Sequence, residues 1–155
     1  MTNETPVYTT NAEDQAEAAK LKARLEKNIG ISSTGSRKFE NVSSVSIDEG
    51  AHKYVLISAK EPGSNELSWF VISRRGSAYH RNAAEPMVQV LGVSGYQDIT
   101  ITGGGRIHLD EDNKQISVFG FSYGFGLADH ELTRKVILKD ERYREFDVTW
   151  SNDGY

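Results

Sequence analysis

A hairpin pattern between residues 99 and 130 constrains the fold more than any other stretch of the chain. Two alternating apolar runs flank the charged segment 110–114, which is the pattern of two antiparallel strands and their turn. Glycines mark the predicted outer ends of both strands, at Gly103, Gly104, Gly105, Gly120, Gly124 and Gly126. Because glycine weakens strands, it is usually kept where backbone bends sharply or approaches a ligand. The pattern predicts an anion site of backbone amides at the open end of the hairpin, with Arg106 as its charge.

Composition limits the classes of protein to which the chain can belong. A length of 155 residues, with 37% hydrophobic and 26% charged residues, predicts a globular protein with a single substantial core. A net charge of -4 argues against a general nucleic-acid binder, which needs a basic face. Cysteine is absent and there are four histidines, so we expect no disulfide, no metal site and no cofactor. No segment has the pattern of a membrane span or a leader peptide. We therefore expect a monomer in the cytoplasm. Entry of the protein into the nucleus stays open as an alternative.

Residues 1–44 are predicted to form an N-terminal extension. A capping box at residues 10–13 and Gly30 bound a charged helix over about 11–28, which a linker rich in serine and glycine follows. The apolar positions of this helix form a thin stripe of Ala18, Leu21, Leu25 and Ile29. Two alternatives stay open: the stripe docks the helix on the domain or a partner, or the helix is an appended, partly frayed element.

The pattern in residues 45–155 predicts an α+β domain. The apolar run 53–59 has the length of a strand and is typical of a central strand buried on both faces. Other strands are predicted at 42–47, 67–73 and 146–150, and helices at about 79–91 and 129–140. Pro86 either starts the first of these helices late or kinks it, whereas Asp129 can cap the second. We expect a mixed sheet flanked by two helices.

His80 is the first candidate for chemistry. It stands at a predicted helix N-terminus, after Arg74, Arg75 and a Gly-Ser turn. The helix dipole disfavours an imidazolium there, so the ring would stay neutral and able to accept a proton. The alternative is a surface histidine at a helix start. His130, at the start of the last helix, is a second candidate base.

The glycine-rich segments also leave two interpretations open. Residues 103–106 lack the Lys-Ser/Thr of a nucleotide-binding P-loop. They form either a flexible strand entry with an exposed arginine, or a phosphate site in which the guanidinium of Arg106 binds two oxygens. The amides of Ser122, Tyr123 and Gly124 can form an anion nest, with the serine hydroxyl as a further donor. The alternative is a strand end whose aromatic side chains pack in the core.

Several motifs, taken together and in order, resemble those of the phosphohistidine phosphatase family, also called the Janus/Ocnus family. They are Lys53-Tyr54-Val55-Leu56-Ile57, Tyr79-His80, Gly103-Gly104-Gly105-Arg106-Ile107, Phe119-Gly120-Phe121-Ser122, Ala128-x-His130, and Val148-Thr149-Trp150-Ser151-Asn152-Asp153-Gly154-Tyr155. The resemblance covers about residues 45–155. It implies a mixed, mostly antiparallel six-stranded sheet between two helices. It also implies metal-independent removal of phosphate from phosphohistidine-containing proteins, with phospholysine as a further substrate that the chemistry permits.

The resemblance also assigns residues. The catalytic histidine, which follows a tyrosine, falls on His80 after Tyr79. The residues that bind substrate or phosphate fall on Lys53, Arg106, Ser122, Tyr123 and Gly124. The chain departs from the family pattern at Ile72, where animal enzymes have an arginine, and Arg74 or Arg75 is expected to substitute. Gly124 replaces a small alanine and Leu127 a proline.

Two questions of function stay open at the level of sequence. His80 would act either as a general base on water or as a nucleophile that forms a phosphoenzyme. A non-catalytic binder of phospho-residues with the same fold is the main alternative to the enzyme. A nucleotide-binding module is a third interpretation.

Overall fold

The computed structural model describes residues 11–27 and 42–153. Within them lie three α-helices and six strands, with a short 3₁₀ helix, Glu141–Tyr143, before the last strand. The helices are α1 (Asn11–Lys27), α2 (His80–Val93) and α3 (His130–Leu138). The strands are β1 (Val45–Ile47), β2 (Gly50–Lys60), β3 (Leu67–Ser73), β4 (Gln97–Asp110), β5 (Gln115–Phe119) and β6 (Asp147–Trp150). The described helices include none that is long and apolar enough to cross a membrane.

The strands form one six-stranded sheet in the order β1-β3-β2-β4-β5-β6. The outer pairs β1/β3 and β5/β6 are parallel, and the three inner pairs are antiparallel. One core cluster includes apolar residues of α2 and the other includes Ile137 of α3. The predicted α+β fold, with a mixed, mostly antiparallel sheet and two flanking helices, is confirmed.

β2 is the central buried strand that its apolar run predicts. Every residue from Lys53 to Ala59 is buried. Val55 and Ile57 belong to the α2-side core, whereas Tyr54 and Leu56 belong to the α3-side core. This division follows from the two-residue period of a strand, and it gives each helix its own half of the apolar run.

The hairpin is present, but the predicted position of its first three glycines is wrong. β4 begins at Gln97, so Gly103, Gly104 and Gly105 lie within the strand instead of before it. A Cβ atom at Gly103 would lie 2.6 Å from the Cα of Ala128, and one at Gly105 would lie 2.4 Å from the Phe119 carbonyl oxygen. The glycines are therefore required for close packing on the strand, because any side chain there would collide with neighbouring backbone.

α2 begins at His80 and contains Pro86 in its interior. A late start with Pro86 in the first turn is therefore excluded. Pro86 is exposed, which leaves its ring on the solvent side of the helix. The helix start at His80 fixes the position of the first candidate residue relative to the sheet.

α1 packs on the domain. Ala18 and Leu21, two residues of the predicted stripe, are 1% and 0% exposed and belong to the α2-side core. Of the two alternatives for this helix, docking on the domain is thus the one observed. Thr10 of the capping box, Ile29, Gly30 and the linker lie outside the described residues, as do the side chains of Asn11, Glu13 and Leu25 and the last two residues of the closing motif.

Candidate active site

His80 occupies the first position of α2, and local hydrogen bonding sets the helix start. Tyr79 is the extended N-cap residue, and its N–H donates to the Asn82 side-chain oxygen at 2.9 Å. The imidazole of His80 is 0% exposed. The alternative of a surface histidine is therefore wrong.

One hydrogen bond defines the tautomer of His80. Its Nε2 lies 3.0 Å from the Gly105 carbonyl oxygen, inside the glycine-rich part of β4. A carbonyl can only accept, so Nε2 carries the proton and donates it. In the neutral ring the lone pair then resides on Nδ1, which is the nitrogen able to act as a base or nucleophile.

Lys53 and Arg106 are paired neighbours on β2 and β4. Lys53 is 2% exposed, and Nη1 of Arg106 is buried without a hydrogen-bond partner among the described residues. A buried guanidinium nitrogen without an acceptor is unfavourable, since it has lost water and gained nothing in return. The two residues therefore form a largely buried cationic pair suited to an anion, and Arg106 is not the ordinary exposed strand arginine of the alternative interpretation.

A tight turn at residues 122–126 lies against β4 at Gly104. The Ser122 N–H donates to the Gly126 carbonyl at 3.1 Å, and the Gly126 N–H donates to the Ser122 carbonyl at 2.8 Å. The Ser122 hydroxyl oxygen accepts from the Phe125 N–H at 3.0 Å. The Ser122 amide is thus used inside the turn, which leaves Tyr123 and Gly124 as the residues that form its tip.

Gly104 is the point where the turn, α2 and the sheet meet. Its N–H donates to the Gly126 carbonyl at 3.0 Å. A Cβ atom there would lie 3.0 Å from Cδ2 of His80 and 3.1 Å from Cβ of Ser122. The absence of a side chain at Gly104 lets His80 and the turn lie side by side on β4.

The aromatic residues of the turn divide between core and surface. Phe125 is 8% exposed and packs in the α2-side core, as the alternative interpretation of this segment predicted. Tyr123 is 36% exposed and makes an edge-to-face contact with Phe121, with ring centroids 5.0 Å apart. One aromatic ring therefore anchors the turn while the other lies at its surface.

His130 lies in a different environment, on the α3 side of the sheet. Its Nε2 donates to the Gly120 carbonyl at 2.8 Å, and its Nδ1 lies 2.7 Å from the Tyr54 hydroxyl. That hydroxyl is also 2.9 Å from the hydroxyl of Thr133. Burial lowers the pKa of His130 and raises that of Tyr54. Both ring nitrogens are engaged, so the geometry gives His130 a structural role and does not support its use as a second base.

Arg74 binds the ends of β1 and β3, and Arg75 binds the connection between β1 and β2. The Arg74 guanidinium donates to the carbonyls of Ser46 and Ser73, at 3.3 and 3.2 Å. The Arg75 N–H donates to the Asp48 carboxylate at 2.7 Å. Their expected substitution for the family's strand arginine stays a prediction, and the contacts give both residues a structural role at this edge of the sheet.

The structure thus gathers the main predicted site residues on one face of the sheet, at the N-terminus of α2. The sequence analysis missed Tyr54 as the partner of His130. The available signal was that a tyrosine in a doubly buried strand needs a hydrogen-bond partner for its hydroxyl. In residues 11–27 and 42–153, no group of three His, Asp or Glu side chains is arranged to hold a metal ion.

Comparison with known proteins identifies the family. The family model described as the Janus/Ocnus family matches residues 39–147. The chain belongs to the Janus/Ocnus family. All of the gathered site residues lie within the matched part of the chain, whereas α1 lies before it.

Relatives within the Janus/Ocnus family carry two kinds of name. The chain is 34% identical over 117 residues to the 14 kDa phosphohistidine phosphatases of Sus scrofa and Homo sapiens. These matches cover 72% of this chain and 90% and 91% of the two relatives. It is also 34% identical over 110 residues to the sex-regulated protein janus-A of Drosophila simulans, covering 69% of this chain and 76% of that protein.

Proposed function

We propose that this chain is a protein phosphohistidine phosphatase that hydrolyses the phosphorus–nitrogen bond without a metal ion. The observation that carries the proposal is the position of His80, buried against Gly105 beside the cationic pair Lys53 and Arg106. The names of the mammalian relatives support the substrate class. In this proposal the chain acts as a monomer, in the cytoplasm, on phosphohistidine-containing proteins.

Phosphate binding would use charge from the sheet and hydrogen-bond donors from the turn. Phosphoryl transfer depends mainly on positioning and on neutralising the three equatorial oxygens. Arg106 offers a buried Nη1 that a phosphate oxygen would satisfy, and Lys53 is its cross-strand neighbour. The hydroxyl of Ser122 accepts a hydrogen bond inside the turn, and Tyr123 and Gly124 form the tip of the same turn, where backbone amides can bind an anion.

The chemical step would centre on Nδ1 of His80. As a general base, Nδ1 takes a proton from water while the water oxygen attacks phosphorus and the phosphorus–nitrogen bond breaks. The protonated ring then returns that proton to the departing imidazole nitrogen, which gives histidine and inorganic phosphate. In the covalent version Nδ1 itself attacks phosphorus while the phosphorus–nitrogen bond of the substrate breaks and the departing imidazole takes a proton from solvent. Water then hydrolyses the phosphoenzyme, which regenerates His80 and releases inorganic phosphate. The bond from Nε2–H to Gly105 selects Nδ1 in both versions.

The burial of the site limits how a substrate enters. His80 and Lys53 have almost no exposed surface, whereas Arg106 is half-buried and Tyr123 is 36% exposed. We propose that the phosphate enters between Arg106 and the tip of the turn. A phosphorylated imidazole or the amine of phospholysine would then remain at the surface while its phosphoryl group reaches Nδ1.

The same burial favours the second candidate function, a binder of phospho-residues that does not turn them over. A phosphate site in which His80 stays buried, out of reach of the phosphoryl group, would bind a phosphorylated side chain without hydrolysing it. Relatives named janus-A carry no enzyme name. The enzyme and the binder share their phosphate contacts and differ only in turnover.

A parallel substrate assay tests the proposal. The full chain would be incubated with phosphohistidine, phospholysine and phosphotyrosine peptides in the presence of EDTA, and released phosphate would be measured. We expect turnover of phosphohistidine, weaker turnover of phospholysine and none of phosphotyrosine, because a phenol oxygen replaces the nitrogen leaving group. Saturable binding of the phosphohistidine peptide without phosphate release would contradict the enzyme and support the binder.

A further inference from the structure

α1 lies outside the part of the chain that the family model matches, yet it packs against two elements of the site. The match begins at residue 39, and α1 ends at Lys27. Ala18 and Leu21 are buried in the same core cluster as Phe125 of the turn. Full burial of two side chains holds α1 on the domain through apolar contact, independently of its charges.

An ion pair links α1 to the N-terminus of α2. Nη1 of Arg81 lies 2.5 Å from the Glu17 carboxylate, and Nη2 of the same guanidinium lies 3.2 Å from Glu85. The side chains of Arg81 and Glu17 are each 23% exposed, so this pair is better shielded than an ordinary surface pair. Arg81 directly follows His80. The ion pair therefore holds α1 one residue away from the candidate catalytic group.

Lys22 links α1 to the turn. Its Nζ lies 3.4 Å from the Gly124 carbonyl oxygen and 5.4 Å from the centroid of the Phe125 ring. The ammonium group thus donates to the tip of the turn and lies over its anchoring aromatic ring. Glu17 and Lys22 contact different site elements from the same helix.

We propose that α1 is a positioning element of the active site, in which Lys22 holds the phosphate-binding turn and Glu17 holds the N-terminus of α2. The inference rests on the proposed function for the identity of the site. It gives the N-terminal helix a role in binding the phosphoryl group, beyond its contribution to stability. Lys22 and Glu17 are positioning residues, since they act through Gly124 and Arg81.

The experiment uses point variants of the full chain. Lys22→Met removes the charge and the donor but keeps most of the apolar stem, and Lys22→Arg restores both. Lys135→Met is the matched control, because Lys135 is an exposed lysine of α3 with a single distant ion pair, 4.0 Å from Glu131. Amide hydrogen exchange of a peptide covering residues 120–128 reports on the turn, and inhibition by inorganic phosphate reports on the site.

Lys22→Met loses one exposed hydrogen bond, so amide exchange in the turn should be faster by about twofold to tenfold. KM and the inhibition constant of phosphate should rise by a similar factor. The value of kcat should change less, because the turn contacts the phosphoryl group in both ground and transition states. Lys22→Arg should recover all three quantities. Glu17→Gln should speed exchange at the start of α2 instead.

Two results would overturn the inference. One is that Lys22→Met and Lys135→Met have the same amide exchange rates in residues 120–128 and the same inhibition constant for phosphate. The other is a lower melting temperature with unchanged exchange in residues 120–128, which would indicate a purely stabilising helix. If the full chain has no phosphatase activity, the proposed function fails, but hydrogen exchange still decides whether α1 holds the turn.

Discussion

At the scale of single residues, Gly104 is the position on which the site geometry depends most. Its missing side chain makes room for His80 on one side and Ser122 on the other. The Tyr54 carbonyl oxygen closes the remaining space, 2.7 Å from where a Cβ atom would lie. Because that neighbour is backbone, the site cannot accept a methyl group by rotating a side chain.

Gly104→Ala should therefore destabilise the fold by about 1–3 kcal/mol, the usual cost of overpacking a close-packed interior. It should also reduce phosphate binding by displacing the turn. Urea unfolding measures the first effect. Gly92→Ala is the control, since Gly92 lies in α2 and an added methyl group would have no atom of another described element within 4 Å. The free energy of unfolding of that variant should rise by up to about 1 kcal/mol, because alanine has a higher helix propensity than glycine. If Gly104→Ala does not lower the free energy of unfolding, the packing around Gly104 is loose and the prediction is wrong.

At the scale of elements, β4 organises the site because it contacts all of the other contributors. It pairs with β2 at Lys53, supports the turn at Gly104 and accepts the His80 hydrogen bond at Gly105. Its pairing with β2 shifts register next to Leu56, and the bulge leaves Thr102 free to donate its hydroxyl to the Leu56 carbonyl at 3.1 Å. The three glycines follow this irregularity directly.

A second link between elements joins β2, α3 and the end of β5 through Tyr54, His130 and the Gly120 carbonyl. Burial lowers the pKa of His130, so the unfolded chain binds a proton more readily than the folded one. The contribution of His130 to stability is therefore fully present above its unfolded pKa of about 6.5 and is lost as the pH falls. The free energy of unfolding should decline below pH 6.5.

The decline is limited to about 1.4 kcal/mol per pH unit for one proton. Urea unfolding at several pH values between 7.5 and 5 would measure it. His130→Gln should be less stable at pH 7.5 but should lose less stability on acidification. His108→Gln is the matched control, because it removes an imidazole at an exposed position. The same slope in His130→Gln would assign the effect to another group.

At the scale of the whole molecule, the sequence predicted the elements better than their contacts. The apolar run of β2 and the bounds of β3 could be predicted from the sequence, because apolar content and two-residue alternation depend only on neighbouring residues. The full length of β4 could not be predicted from the sequence, because Gly103 to Gly105 interrupt its strand pattern. The need for these glycines is visible only from the backbone atoms packed against them. The position of His80 at a helix start was predicted locally, but its burial depends on β4.

The same limit applies to the N-terminal helix and to His130. The thin stripe of α1 left docking undecided, since the decision rests on Arg81 and Gly124, which are far away in the sequence. His130 carried the same local signal as His80, a histidine at a helix start. Only the fold separates them, because it places His130 against Tyr54 on the opposite side of the sheet.

The proposed phosphohistidine phosphatase activity requires His80 to act as base or nucleophile. His80→Gln tests it most directly, because glutamine can still donate an amide hydrogen toward Gly105 but has no basic nitrogen. The measurement is the rate of phosphate release from a phosphohistidine peptide. Binding of that peptide and the unfolding midpoint are measured alongside it, and His108→Gln is the control. We predict a rate lower by about a factor of 10² to 10⁴ with a folded variant that still binds. A His80→Gln variant that retains the rate of His108→Gln would contradict the account.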